Sequence, residues 1–120
     1  MAHLHTRVTI SGEKSLSVRM LVDTGTTYSV VPKSVARSVG ITPLPAVMMT
    51  LADGRRRKLR AATAVLRVGH REAPATVLVG DVIEPILGVE ALDVLGLAVD
   101  PKRQRLTPTR PYTVRLGGYR

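Results

Sequence analysis

From Leu16 to Val22 the side chains alternate with a period of two, Leu16, Val18, Met20 and Val22 against Ser17, Arg19 and Leu21. That is the pattern of a half-buried strand. The run passes without a break into Asp23-Thr24-Gly25, so a carboxylate stands at the end of an apolar strand. The glycine lets the backbone approach that position with no side chain in the way. An extended run resumes at Tyr28-Ser29-Val30-Val31, and together these segments commit the first third of the chain to β-structure.

The rest of the chain reads in the same way, as short strands separated by turn residues. His3 to Ile10 is expected to be a strand, with Ser11-Gly12-Glu13-Lys14 as its turn. Pro32 fits the first turn of a short helix, Lys33 to Val39, closed by Gly40. Pro43 and Pro45 mark a loop. Val47 to Ala52 and Lys58 to Val68 are expected as two strands joined by Asp53-Gly54, a hairpin signal. Gly69 to Glu72 reads as a turn before a strand from Ala75 to Val79. Ile86-Leu87-Gly88 leads into a second short helix, Val89 to Leu95, stopped by Gly96. Leu97 to Val99 and Arg105 to Thr107 can pair across a turn at Pro101-Lys102. The expected fold is all-β, with one or two short helices.

Composition supports this and narrows the function. A length of 120 residues suits one domain, and 44% hydrophobic residues is enough for a core. There is no Phe or Trp and there are three Tyr, so Val, Leu, Ile, Ala and Met must do the packing. The emphasis on Val favours strands. Without cysteine, neither a disulfide framework nor a thiolate metal site can form. No apolar run approaches the roughly 18–20 residues of a membrane helix. The first residues lack the apolar stretch of a signal peptide, so a cytoplasmic protein with no membrane partner is expected. The net charge of +9 leaves nucleic acid or another polyanion open as a partner, although a solvated surface explains it as simply. No aromatic residues are interleaved with the basic ones, which argues against single-strand binding. Residues 1–108 are expected to form the domain, and 109–120, with Pro111, Gly117, Gly118 and three arginines, a basic tail.

The chemistry suggested by Asp23 is that of paired carboxylates. Peptide hydrolysis without a metal or a covalent intermediate can be run by two acids sharing one proton. One acts as base towards a water while the other, protonated, polarises the carbonyl. Like charges about 3 Å apart cannot both ionise, and the resulting titration belongs to the pair. The Thr24 hydroxyl can hydrogen-bond across such a site and fix its geometry. By itself the tripeptide could equally be a strand-ending Asx turn.

In context, the chain resembles the retropepsin-like aspartic proteases, the retroviral-type, single-domain relatives of pepsin, in their prokaryotic form. Leu21-Val22-Asp23-Thr24-Gly25-Thr26 is similar to the catalytic loop of that family. Asp53-Gly54 sits where the family's flap hairpin turns. Ile86-Leu87-Gly88 resembles the second signature, and Leu95-Gly96-Leu97-Ala98-Val99-Asp100 the segment that follows in many prokaryotic members. The resemblance covers about residues 3 to 108 and departs at one point. Retroviral members usually carry an Asp two residues after the motif Gly, paired with an Arg directly after the second-signature Gly. Thr27 and Val89 stand in those places here, so both halves of the ion pair are absent together.

The resemblance implies a closed pepsin-like half-barrel that dimerises through a shared active site. No second Asp-Thr-Gly or Asp-Ser-Gly occurs, and Asp81 and Asp93 are each followed by Val. The second carboxylate must therefore come from another copy, which a two-fold axis supplies. Expected catalytic residues are Asp23, Thr24 and Gly25. Substrate contacts are expected from Thr26, Thr27, Asp53, Gly54 and Ile86, with the 53–54 hairpin as a flap over the cleft. Arg55, Arg56 and Arg57 beside the tip either keep the hairpin soluble and protect its exposed edge, or favour acidic peptides, or make the flap bind anions. Expected partners are a second copy and a peptide or protein substrate.

No cofactor is expected. His3 and His5 face the same way on a strand, but no third ligand lies near them in sequence. His70 is expected on the surface. Glu84, Glu90 and Asp93 are read as helix-start charges. Two rival functions remain at this level: a non-catalytic dimeric peptide-binding module of the same fold, and a basic β-barrel that binds nucleic acid.

Overall fold

A computed structural model of the chain describes residues 3–50 and 53–111. Nine strands and two short helices follow in the order β1 (His5–Ser11), β2 (Ser15–Val22), β3 (Ser29–Pro32), α1 (Lys33–Val39), β4 (Ala46–Thr50), β5 (Arg56–Val68), β6 (Arg71–Gly80), β7 (Ile86–Leu87), α2 (Val89–Leu95), β8 (Leu97–Asp100) and β9 (Arg105–Pro108). Seven strands form one sheet in the order β1-β2-β7-β3-β6-β5-β4. The sheet also closes on itself, because Thr9, Ile10 and Ser11 of β1 pair with Arg67, Leu66 and Val65 of β5. The 13-residue β5 therefore serves two neighbours on one edge. Its Arg56–Arg60 portion pairs with β4, and its last residues pair with β1. β8 and β9 make a separate two-stranded ribbon.

The core is aliphatic, as the missing Phe and Trp require. Val8, Ile10, Met20, Leu66, Val77 and Leu87 are fully buried in one cluster, joined by Ala91, Leu92 and Leu95 of α2. Each such large side chain contributes about 1.5–3 kcal/mol by leaving water. Alternation decides which residues enter: Ala62, Ala64 and Leu66 of β5 point inward while Thr63 and Arg67 point out. A smaller cluster of Val30, Leu59 and Leu78, with Tyr28, Met49 and Ile86 against it, lies on the other face.

Each helix has seven residues. That is too short to persist alone, so both depend on packing. Gly40 and Gly96 end them with φ of 71° and 68°, where a Cβ would be strained. Pro32 is the N-cap of α1, with ψ of 153°, and also ends β3.

Several boundaries differ from the sequence expectation. β1 starts at His5 rather than His3, and β5 begins at Arg56 rather than Lys58. The β4–β5 connection therefore includes Arg55 as well as Asp53-Gly54; the expected end of β4 at Ala52 lies outside the described residues. β6 starts at Arg71, four residues before Ala75, and runs through Pro74. Proline is tolerated there because β3 joins β6 only from Val77, leaving Pro74 with β5 as its one neighbour. Among the described residues no helix is long and apolar enough to cross a membrane.

Candidate active site

The loop after β2 is built from the chain's own hydrogen bonds. β2 and β7 run parallel, with Leu21 beside Ile86 and Val22 beside Leu87. The Leu87 carbonyl accepts the Asp23 N–H at 3.0 Å, which fixes where the strand gives way to the loop. The half-buried Asp23 carboxylate is then held at both oxygens. Oδ1 accepts the Gly25 N–H at 2.9 Å and Oδ2 accepts the Thr26 hydroxyl at 3.0 Å.

All three polar groups of Thr26 are committed inside the chain. Its N–H donates to the Asp23 carbonyl at 3.2 Å, its hydroxyl to Oδ2, and its carbonyl accepts the Val89 N–H at 2.8 Å. Glu90 N–H likewise donates to the Thr27 carbonyl at 2.9 Å. The start of α2 is thus bound to the loop through backbone at the two positions where an Asp–Arg pair is absent. Thr24 is exposed, and its hydroxyl has no partner among the described residues.

Gly88 shows why the second signature needs glycine. A Cβ there would stand 2.7 Å from the Tyr28 carbonyl carbon and 2.8 Å from the Thr26 oxygen, so any side chain would push the loop away. Its N–H donates to the Ser29 hydroxyl at 3.1 Å, and Ser29 is fully buried. Ser29 is a positioning residue that the sequence reading missed; its only signal was a hydroxyl inside an apolar run.

Beside the loop opens a cleft of about 320 Å³, bounded by Gly25, Thr26 and Thr27 on one side and by Met49 and Thr50 of β4 on the other. Tyr28, Val30, Leu59 and Leu78 complete its walls, and among the described residues none that lines it carries a carboxylate. Of the expected substrate contacts, Thr26 and Thr27 line the cleft. Ile86 packs into the apolar cluster behind it. Asp53 and Gly54 lie at the hairpin tip and do not line it. There the Arg55 N–H, at 2.9 Å, and then its guanidinium, at 2.7 Å, hold the Asp53 carboxyl below its ordinary value.

The remaining candidates have structural surroundings. His5 Nε2 lies 3.3 Å from Glu84, and His3 and His70 are exposed. Glu90 accepts the Thr76 N–H at 2.7 Å, tying α2 to β6. No group of three or more His, Asp or Glu able to hold a metal ion occurs among the described residues.

A closed sheet with an aspartate loop braced by a short strand and a C-terminal helix defines the retropepsin-like aspartic proteases. The family described as "gag-polyprotein putative aspartyl protease" matches residues 6–94. The chain belongs to that family. Among solved structures it is similar to EIAV protease in complex with the inhibitor HBY-793, with TM-score 0.68 and 21% identity over 79% of this chain and 89% of that one. It is also similar to the retroviral protease-like domain of Ddi1 from Leishmania major, with TM-score 0.63 and 18% identity over 90% of this chain and 89% of that one. At these identities the likeness is one of fold. No curated protein sequence matches the chain.

Proposed function

We propose that the protein is an aspartic endopeptidase whose active site is completed by a second copy of the chain. The observation that carries this reading is the Asp23 carboxylate, oriented by Gly25 N–H and Thr26 Oγ1 beside a cleft with no acid of its own. One such carboxylate is half of a dyad, and a two-fold axis beside the loop supplies the other.

With one proton shared between Asp23 and its copy, the ionised member takes a proton from water as the oxygen attacks the scissile carbonyl. The protonated member donates to the carbonyl oxygen. Collapse of the tetrahedral adduct breaks the C–N bond, and the amine leaves with a proton returned by the dyad. Thr24, whose hydroxyl has no partner among the described residues, bonds across the axis and locks the two loops. The β4–β5 hairpin acts as the lid that excludes water. Peptide backbone lies in the cleft along Thr27 and Met49.

Cleavage of a mixed peptide library by the wild type and Asp23→Asn tests the proposal. The substitution should lower turnover by about 10³-fold or more. Sedimentation should show a dimer in both. A monomer that cleaves would overturn the shared site. A protein that only holds peptides would show no cleavage in either form and lose little affinity in the variant.

A further inference from the structure

A second concavity, of about 550 Å³, lies across β5 from the cleft, between the β4–β5 hairpin and α1. Its rim carries Lys33 and Arg37 of α1 with Arg57, Lys58 and Arg60 of β5. Among the described residues Asp81 is the one carboxylate lining it, and Lys33 Nζ lies 3.3 Å from that group. The other four cations have no carboxylate within ion-pair distance among the described residues. The floor is apolar, made by Ala36, Ile41, Pro43 and Leu59.

Edge protection accounts for part of this clustering, because β6 leaves β5 at Arg60 and so Arg57 and Lys58 stand on an edge. It does not account for Lys33 and Arg37, which lie on α1, or for Arg60, which is paired on both sides. Like charges gathered on one rim repel one another unless an anion lies between them. Arg37 also occupies the last turn of α1, where the helix dipole favours a cation, but that explains Arg37 alone.

A basic rim over an apolar floor fits an acidic peptide with an apolar side chain to bury. A nucleic acid would use the rim and leave the floor bare, and no aromatic side chain lines the groove for base stacking. The volume suits a few residues. Leu59 borders both this groove and the cleft, so the two are neighbours. We propose that the groove docks an acidic segment of the protein substrate, outside the bond being cut. This rests on the proteolytic reading and names its substrate class.

The test separates the two. In the Asp23→Asn background, a fluorescein-labelled ten-residue peptide of glutamates around a central leucine is titrated by anisotropy. Arg37→Gln/Lys58→Gln/Arg60→Gln, all exposed positions, should weaken binding tenfold or more. Arg103→Gln/Arg105→Gln, at the β8–β9 turn, should leave it unchanged. Replacing the leucine by serine should weaken binding severalfold. With otherwise wild-type protein, the triple variant should raise KM severalfold more for a substrate with an acidic extension than for an unextended one. Equal binding by the triple variant, or an oligonucleotide of equal charge displacing the peptide at lower concentration, would overturn the groove proposal. Absence of any cleavage with peptide binding intact would instead strike the proteolytic reading.

Discussion

From Ala62 to Leu66, β5 sends Ala62, Ala64 and Leu66 into the core, whereas Arg56, Arg57, Lys58 and Arg60 at its other end stay exposed. The two halves also differ in their neighbours. The inner half is paired with β6, and its last part with β1 as well. Pairing with β6 stops at Arg60, so beyond that residue only β4 accompanies the strand. A two-stranded hairpin is marginal in water. One continuous strand thus passes from the wall of a barrel into a two-stranded arm that rests on it through Leu59 and Met49. The wall holds the aspartate loop in place, and under the proposed function the arm is the part that covers a substrate.

Breaking the wall should have the largest effect. Leu66→Ala removes a fully buried side chain and should cost about 2–5 kcal/mol in denaturant unfolding. A cost below about 1 kcal/mol would mean that the inner half is no more essential than the outer. Next comes Ser29→Ala, which leaves the Gly88 N–H buried without its acceptor. It should destabilise by about 1–3 kcal/mol and reduce peptide cleavage more than Leu66→Ala does at temperatures where both are folded.

The arm should respond far less. Lys58→Ala should change stability by no more than about 0.5 kcal/mol. Hydrogen exchange should be faster at Arg57 and Lys58 than at Ala64 and Leu66, and equal protection would remove the distinction between the halves. Smallest of all is the effect of Asp53→Asn at the tip. The folded Asp53 carboxyl titrates below its ordinary value of 3.8, so the ionised group favours the closed turn above that pH. The benefit is lost as pH falls through the lowered value, and the variant should match the wild type there. An NMR titration placing the Asp53 midpoint at or above 3.8 would contradict the Arg55 contacts.

Much of this was legible in the sequence because it is local. Alternation placed β2, and the residues Pro32 and Gly40 bracketed α1, since each feature depends on neighbours in the chain. Asp23 was legible for the same reason. What was hidden depends on distant parts. Thr24, Thr26 and Thr27 offer three hydroxyls within four residues, and only the folded loop turns that of Thr26 onto Asp23. Closure of the sheet joins β1 to β5, which no short window contains. Arg71 reads as part of a turn, yet it begins β6 and is only 7% exposed. Its partners are carbonyls far along the chain, donated to at 3.1 Å (Leu95), 3.2 Å (Gly96) and 2.9 Å (Arg110).

That buried guanidinium bears on where the polypeptide can be cut short. Arg110 returns the contact, donating to the carbonyls of Val94 at 2.9 Å and Asp93 at 3.3 Å, while Thr109 N–H bonds to Gly96 O at 2.8 Å. An expression clone that stopped after Pro108 would keep β1 to β9 and still strip the last turn of α2 of these partners. Because the first turn of that helix grips the loop through Val89 and Glu90, the damage would begin far from Asp23 and end beside it.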